Sequence, residues 1–211
     1  EGAKRHEGIT AFIIESASPG VFYPTVESIR EIEKWGLKSS HFCELVLYGP
    51  VKGQNLLGEI GNGFRIAMET LNNGRINIAA QAVGIARRAL FEAEKYGSGR
   101  IAFGGPVIKK QVQARRLARL ARKVEKAWEL TLGAASAKDC GSDYRVDAAK
   151  AKLFASETAV ECATFNYRIH GGFGYTTESI AMSILHDALA TITYEGTSDI
   201  QRLVITKNSK G

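Results

Sequence analysis

"FRIAMETLNNGRINIAAQAVGIARRALFEAEKY", Phe64–Tyr96, decides the fold of this chain. Its apolar residues recur every three or four positions, the period of one face of an α-helix. Gly97 and Gly99 follow, and glycine after the last periodic residue predicts the helix end there. The same period runs through "PVIKKQVQARRLARLARKVEKAWELTLGAASAK" (Pro106–Lys138), with Pro106 suited to a first helical turn. It continues in Asp143–Gly171, stopped by Gly171–Gly172, then in Thr177–Leu189 and Ser198–Asn208. Long helices joined by short loops predict an antiparallel bundle.

Upstream the period changes. "GITAFIIE" (Gly8–Glu15) and "HFCELVLYG" (His41–Gly49) read as strands, with a turn at Ser18–Val21, Pro50 closing the second, and Gly36 and Ser39–Ser40 punctuating the approach to it. Gly53–Gly63 reads as a glycine-rich loop. The expected architecture is mainly α: a partial β-domain over residues 1–58 and a C-terminal helical bundle domain over residues 59–211. The chain begins at Glu1 in polar sequence, and further residues are expected upstream.

Among 211 residues, 45% are hydrophobic and 24% charged, an ordinary globular composition. The net charge of +6 favours anionic ligands or partners, weakly. Three cysteines without metal or redox spacing read as reduced thiols. No apolar run reaches membrane-spanning length and no signal peptide opens the chain, so a cytoplasmic or mitochondrial-matrix location is expected.

Several segments invite a functional reading beside a plain one. In "ITYEGTSDIQRLVI" (Ile192–Ile205), Glu195 is either an acid opening a helix or a base in a partly dry pocket. "RIHGGFGY" (Arg168–Tyr175) is either a helix cap with a tight connection or a nucleotide contact. Arg100 in "GRIAFGG" is a solvated loop cation or a phosphate ligand. Arg115, Arg119, Arg122 and Lys126, beside Arg116 and Lys123, form a stripe that reads first as a solvated face and second as a dock for an acidic partner. No aromatics interleave with it, so no nucleic acid is expected. Trp128 reads as core or subunit interface, and His170 and His186 lack metal-ligand spacing, so no metal is assigned.

Five of these segments in order, "GITAFIIE…SPGV", "CELVLYGPVKGQNLLGEIGNGFRIAMETLNNGR", "RIAFGGPVIKKQ", "HGGFGY" and "YEGTSDIQRLVI", resemble the acyl-CoA dehydrogenase family over nearly the whole sequence. The resemblance implies the later part of that family's β-domain followed by its four-helix bundle. An N-terminal helical domain and a first β-segment are expected upstream. It implies FAD as cofactor and the conversion of an acyl-CoA to a trans-2-enoyl-CoA. Glu195 would remove the α-proton as the β-hydride passes to flavin N5, and electrons would leave to an electron-transferring flavoprotein. Some branches carry the base just before the arginine matching Arg75, and that position here is Gly74.

By the same resemblance, Gly196, Asn72 and Arg75 face the substrate. Thr197, Ser198 and Asp199 touch FAD, as does the loop containing Arg168, His170, Gly171 and Gly172. Arg100, Phe103 and Gln111 reach the FAD of a neighbouring subunit, implying a homo-oligomer, dimer or tetramer, with FAD at the interface. The sequence departs from the family pattern at Arg168 (usually glutamine), Asn72 (usually aspartate), Gly105 (usually lysine or arginine) and His186 (usually arginine), and Ser179–Ser183 lacks the usual proline. Alternatives to a dehydrogenase are an acyl-CoA oxidase, which would consume O₂ and form peroxide, and a non-catalytic or partner-dependent scaffold, which would be colourless.

Overall fold

The computed structural model describes residues 6–14, 25–48 and 51–208. The chain divides into two compact units, one of Glu1–Lys34 and Lys38–Leu71, the other of Trp35–Leu37 and Asn72–Gly211.

In the first unit, β1 (Ala11–Phe12) pairs antiparallel with β4 (Leu56–Leu57), and β2 (Thr25–Glu31) with β3 (Cys43–Tyr48). The strand expected over Gly8–Glu15 shrinks to two residues, with Glu15 outside the described residues; that over His41–Gly49 holds as β3. The turn at Ser18–Val21 and the stop at Pro50 also lie outside the described residues. The Gly53–Gly63 loop contains a short 3₁₀ turn at Gly53–Asn55 and then β4. β2 escapes the sequence reading because Val26 and Ile29 stand three apart rather than two. Its ladder carries an irregularity between Val26 and Ser28, and such a bulge breaks the two-residue period. Across this pair Arg30 meets Glu44 at 2.6 Å in solvent.

Five α-helices dominate the described residues: α1 (Gly63–Gly99), α2 (Gln111–Asp139), α3 (Arg145–His170), α4 (Ala181–Thr191) and α5 (Ser198–Asn208). Of the two glycines expected to end α1, Gly99 does and Gly97 does not, the helix running through it. A Cβ there would lie 2.8 Å from Ile169 Cδ1 and 3.0 Å from Ile108 Cβ, so Gly97 is a packing glycine inside the helix. Nor does α2 begin at Pro106. Ile101–Ala102 (β5) pairs with Gly105–Pro106 (β6) through Phe103 and Gly104, both at positive φ, a two-residue hairpin that delays the helix to Gln111. α4 starts later than expected because Ser179 Oγ accepts the Ala181 amide at 3.2 Å and turns the chain first.

In the second unit, α3 packs against α2, α4 and α5. Arg119, early in α2, meets Glu161, late in α3, at 3.3 Å, so these helices run antiparallel. Tyr144, preceding α3, donates to Asn73 Oδ1 at 2.7 Å, and Tyr96 stacks on His170 at 4.0 Å, so α1 runs parallel to α3. The helical bundle expected from the periodicity is therefore present. Its core is built largely from alanine: Ala79, Ala82, Ala86, Ala89 and Ala93 on α1, and Ala148, Ala151, Ala155, Ala159 and Ala163 on α3, are fully buried. Small residues at three- and four-residue spacing let helices approach closely. Leu120, Val124, Phe165 and Val83 fill the remaining volume. Trp128 packs against this core with the Arg87 guanidinium 5.0 Å from its ring centroid. Gly36 lies so close to α4 that a Cβ would meet the His186 carbonyl carbon at 2.6 Å, and the adjacent Leu37 amide donates to Asp187 Oδ1 at 2.6 Å.

Cys162 is buried in α3, where desolvation first and the Glu161 charge second push its thiol up to about 12, whereas Cys140 is exposed. Since the thiolate is the reactive form, iodoacetamide at mildly alkaline pH is expected to label Cys140 rapidly and Cys162 only after unfolding. Peptide mass spectrometry of native and denatured samples checks this.

Candidate active site

The connection between α4 and α5 carries Glu195. The Ser198 amide reaches back to the Ile192 carbonyl at 3.2 Å and closes the loop. Glu195 sits at φ 54° and Gly196 at φ 90°, two consecutive residues in left-handed space. For a glutamate this costs on the order of 1–3 kcal/mol and persists only where surrounding contacts fix it. Those contacts are Lys152 Nζ, donating to the Gly196 carbonyl at 2.7 Å, and Gln201 Nε2, donating to the Gly196 and Glu195 carbonyls at 2.8 and 3.1 Å. Tyr194 donates its hydroxyl to Gln81 Oε1 on α1.

The Glu195 side chain points at α1. A Cβ on Gly74 would stand 2.6 Å from the Glu195 carboxyl carbon, so the carboxylate fills the space an ordinary residue at 74 would take. This separates the two readings of Glu195. The start of α5 has other groups: Thr197 Oγ1 accepts the Ile200 amide at 3.4 Å, and Asp199 in the first turn pairs with Arg202 at 2.9 Å. Glu195 is not the residue capping α5.

Asn72 and Arg75, one turn of α1, belong to the same cluster. Both are buried, and Arg75 donates to Asn72 Oδ1 at 2.7 Å. Burial lowers the Arg75 pKa, and the nearby Glu195 charge opposes that shift. Tyr194 is raised by burial, then by Glu195 and Asp187. Four of the six buried side-chain atoms lacking a hydrogen-bond partner among the described residues lie here: Glu195 Oε2, Arg75 Nε, Ser198 Oγ and Gln201 Oε1. Buried polar atoms are rarely left unpaired, so this cluster is a candidate ligand site.

A second group forms at the far ends of α1 and α3. Gly171 at φ 58° ends α3, a conformation glycine adopts without strain. His170 Nδ1 donates to the Asn166 carbonyl at 2.8 Å, and its ring stacks on Tyr96 with Phe173 alongside. With Lys95 and Arg100 these rings wall a groove of about 620 Å³. Gly171 and Gly172, which follow His170 in sequence, are exposed. Glu92 lines the groove too, its charge met by Arg88 at 2.7 Å; flat aromatic faces beside two cations suit a ligand with planar rings and a diphosphate. Arg168 does not join them; it lines a different groove, with Arg116, Arg119 and Glu161. Phe103 is 95% exposed at the hairpin tip and Gln111 is exposed at the first turn of α2. Beside Gly105, where the resemblance expects a cation, Lys110 Nζ lies 3.8 Å from the position of a Cβ and donates to the Phe103 carbonyl at 2.6 Å.

A family model described as "Acyl-CoA dehydrogenase, C-terminal domain" matches residues 61–210. The chain belongs to the acyl-CoA dehydrogenase family. Within that family, it is 42% identical over 203 residues to the short-chain specific acyl-CoA dehydrogenase of Megasphaera elsdenii, covering 96% of this chain and 52% of that protein. A solved structure described as butyryl-CoA dehydrogenase from Megasphaera elsdenii superposes with a TM-score of 0.89 at 40% identity, over 98% of this chain and 53% of the other. A chain in a structure described as the electron transferring flavoprotein of Acidaminococcus fermentans gives a TM-score of 0.87 at 41% identity, over 95% of this chain and 52% of that one. The chain thus spans about half the length of the acyl-CoA dehydrogenase relatives it matches. Among the described residues no helix is long and apolar enough to cross a membrane.

Lys152 and Gln201 are the site residues that sequence reasoning missed. Lys152 is fully buried. Its signal was available: it stands in register with Ala148, Ala151, Ala155 and Ala159, on the helix face that the small residues mark as buried. Desolvation, then the Arg75 charge, lower its pKa from 10.5 to about 8, with Glu195 opposing. Below about 8 the lysine is protonated folded and unfolded, and its burial cost is fully present. Between about 8 and 10.5 the folded chain gives up the proton first, so stability rises with pH through that window. Urea denaturation of wild type and Lys152→Met across it is expected to show a rise in wild type relative to the variant.

Proposed function

We propose that this chain carries the base and substrate-side residues of an acyl-CoA dehydrogenase, which removes the α-proton and β-hydride of an acyl-CoA thioester to give the trans-2-enoyl-CoA. The observation that carries the reading is the Glu195 carboxylate, turned away from α5, buried against Gly74 and left with an unpartnered oxygen. A carboxylate with a buried, unpartnered oxygen is equipped to take a carbon-bound proton, and a positioned base contributes roughly 10²–10⁴-fold.

Each neighbour has a task. The Glu195 amide donates to the thioester carbonyl and stabilises the enolate-like charge that develops as the α-proton leaves. Gly196 leaves room for Gln201, whose Nε2 a Cβ there would meet at 2.8 Å, and its bare backbone lets a substrate approach closely. Asn72 fixes Arg75, whose charge lies near the base. FAD, when bound, supplies the two-electron acceptor. Thr197, Ser198 and Asp199 would hold it beside the base. His170, Gly171 and Gly172, with Arg100, Phe103 and Gln111 reaching across to a neighbouring subunit of a homo-oligomer, would hold its remaining parts; Arg168, which lines a separate groove, is not among them. The fit is supported by the unpartnered Ser198 Oγ and by the aromatic groove with Arg100 and Lys95. Electrons then pass to an electron-transferring flavoprotein.

Adding butyryl-CoA anaerobically to the FAD-loaded protein tests the reading. Bleaching of the visible flavin band with formation of the 2-enoyl-CoA is the expected result. A protein that takes up no FAD, or whose flavin stays oxidised with acyl-CoAs of every chain length, would overturn it.

A further inference from the structure

The base stands on a turn that is costly to form, and what holds that turn is an unusual group. Lys152 is a fully buried lysine in a helix wall of alanines. Its ammonium donates to one main-chain oxygen, that of Gly196. Arg75 and Glu195 act on it through charge. Burying an ammonium is expensive, and an apolar chain of similar length would fill the same space without that cost. Packing therefore does not account for a lysine here. A charge-assisted donor is roughly twice as strong as a neutral one, and this one is aimed at the carbonyl between the two left-handed residues and α5.

We propose that Lys152 is a positioning residue for the base: by clamping the Gly196 carbonyl it holds the Glu195–Gly196 turn left-handed and keeps the Glu195 carboxylate seated over Gly74. The proposal rests on the reading of Glu195 as the base. Gln201 is the second donor to the same carbonyl, but it is neutral and also reaches Glu195 O. It cannot replace the strength of the ammonium. Without Lys152 the turn relaxes toward ordinary backbone, and the carboxylate swings out of line with the α-carbon while the acyl-CoA contacts elsewhere survive. The loss then falls on kcat and leaves KM nearly untouched. A residue that merely filled space would alter stability and leave that split absent.

The test uses the FAD-loaded protein with Lys152→Met, which keeps the stem and removes the donor, and Lys152→Gln, which keeps a neutral donor and decides the matter should the first variant fail to fold. Two readouts are taken: kcat and KM with butyryl-CoA, and hydrogen exchange of the Gly196–Ser198 amides. Displacement of a reacting group by about 1 Å costs up to ~10²-fold. Lys152→Met is expected to lose about 10–100-fold in kcat, with KM within a small factor of wild type. Its turn amides should exchange faster while those of the α1 and α3 core do not, and Lys152→Gln should fall between. Wild type active, with the variants matching it in kcat and in exchange at the turn, would overturn the role of Lys152 and leave the base assignment standing. Wild type unable to bleach its flavin with any acyl-CoA would overturn the base assignment and this proposal with it.

Discussion

Glu195→Gln is expected to bind FAD and butyryl-CoA and to reduce its flavin at least ~10²–10⁴-fold more slowly than wild type. The amide is nearly isosteric with the carboxylate, so it occupies the same space against Gly74. It can still accept a hydrogen bond, but it cannot hold the α-proton. The turn itself rests on main-chain acceptors, the Glu195 and Gly196 carbonyls, and these do not change with the side chain. The substitution therefore isolates proton abstraction from architecture. Stopped-flow bleaching of the flavin band, with ligand affinity measured separately on a thioether analogue, reads the two apart.

The second large effect is expected from Gly74→Ala. In an exposed helix interior, replacing glycine by alanine stabilises by about 0.8–1.0 kcal/mol. At Gly84, on the same helix, a Cβ would meet nothing within 4 Å, and Gly84→Ala is expected to show that gain. At Gly74 the new Cβ would stand 2.6 Å from the Glu195 carboxyl carbon. Overpacking costs about 1–3 kcal/mol, enough to cancel the helix gain, and the side chain that yields is Glu195. Flavin reduction should drop by up to ~10²-fold through misplacement of the base alone. Chemical denaturation and single-turnover kinetics on the two alanine variants form a matched pair: one more stable and fully active, the other slower in flavin reduction without added stability. Full activity in Gly74→Ala would mean that the carboxylate works from somewhere other than the seat over Gly74.

The bundle was legible because α1, α2 and α3 are long enough for a three-to-four-residue period to dominate any local exception, and α5 begins and ends where its polar flanks say. Expectation failed where tertiary contacts override local signals. Gly97 looks like a stop in one dimension and is a point of close approach to Ile169 and Ile108 in three. The hairpin at Ile101–Pro106 displaces the start of α2 by a few residues because its turn needs two positive-φ residues, one of them Phe103. β2 was invisible for its bulge.

The site divides in the same way. Glu195 and Gly196, and Asn72 with Arg75, could be named because each pair is local in sequence and carries recognisable motif context. Their convergence across α1 and the α4–α5 connection is what the fold adds. Lys152 carries a burial signal in its register with the alanines of α3, but not a functional one, since lysine in a helix is ordinarily a solvent residue. Its partner carbonyl lies 44 positions away, so no local window contains both. The resemblance groups Arg168 with His170 in one loop, yet residues two apart on a helix face different ways, and Arg168 lines a separate groove.

The central claim is that the Glu195 carboxylate takes the α-proton. Deuterium exchange at the α-carbon of butyryl-CoA, followed by NMR in D₂O with the flavin already reduced, tests it most directly, because only the proton step is then open. Wild type is expected to wash deuterium into the α-position and Glu195→Gln to leave it protonated. Equal exchange in both would contradict the assignment.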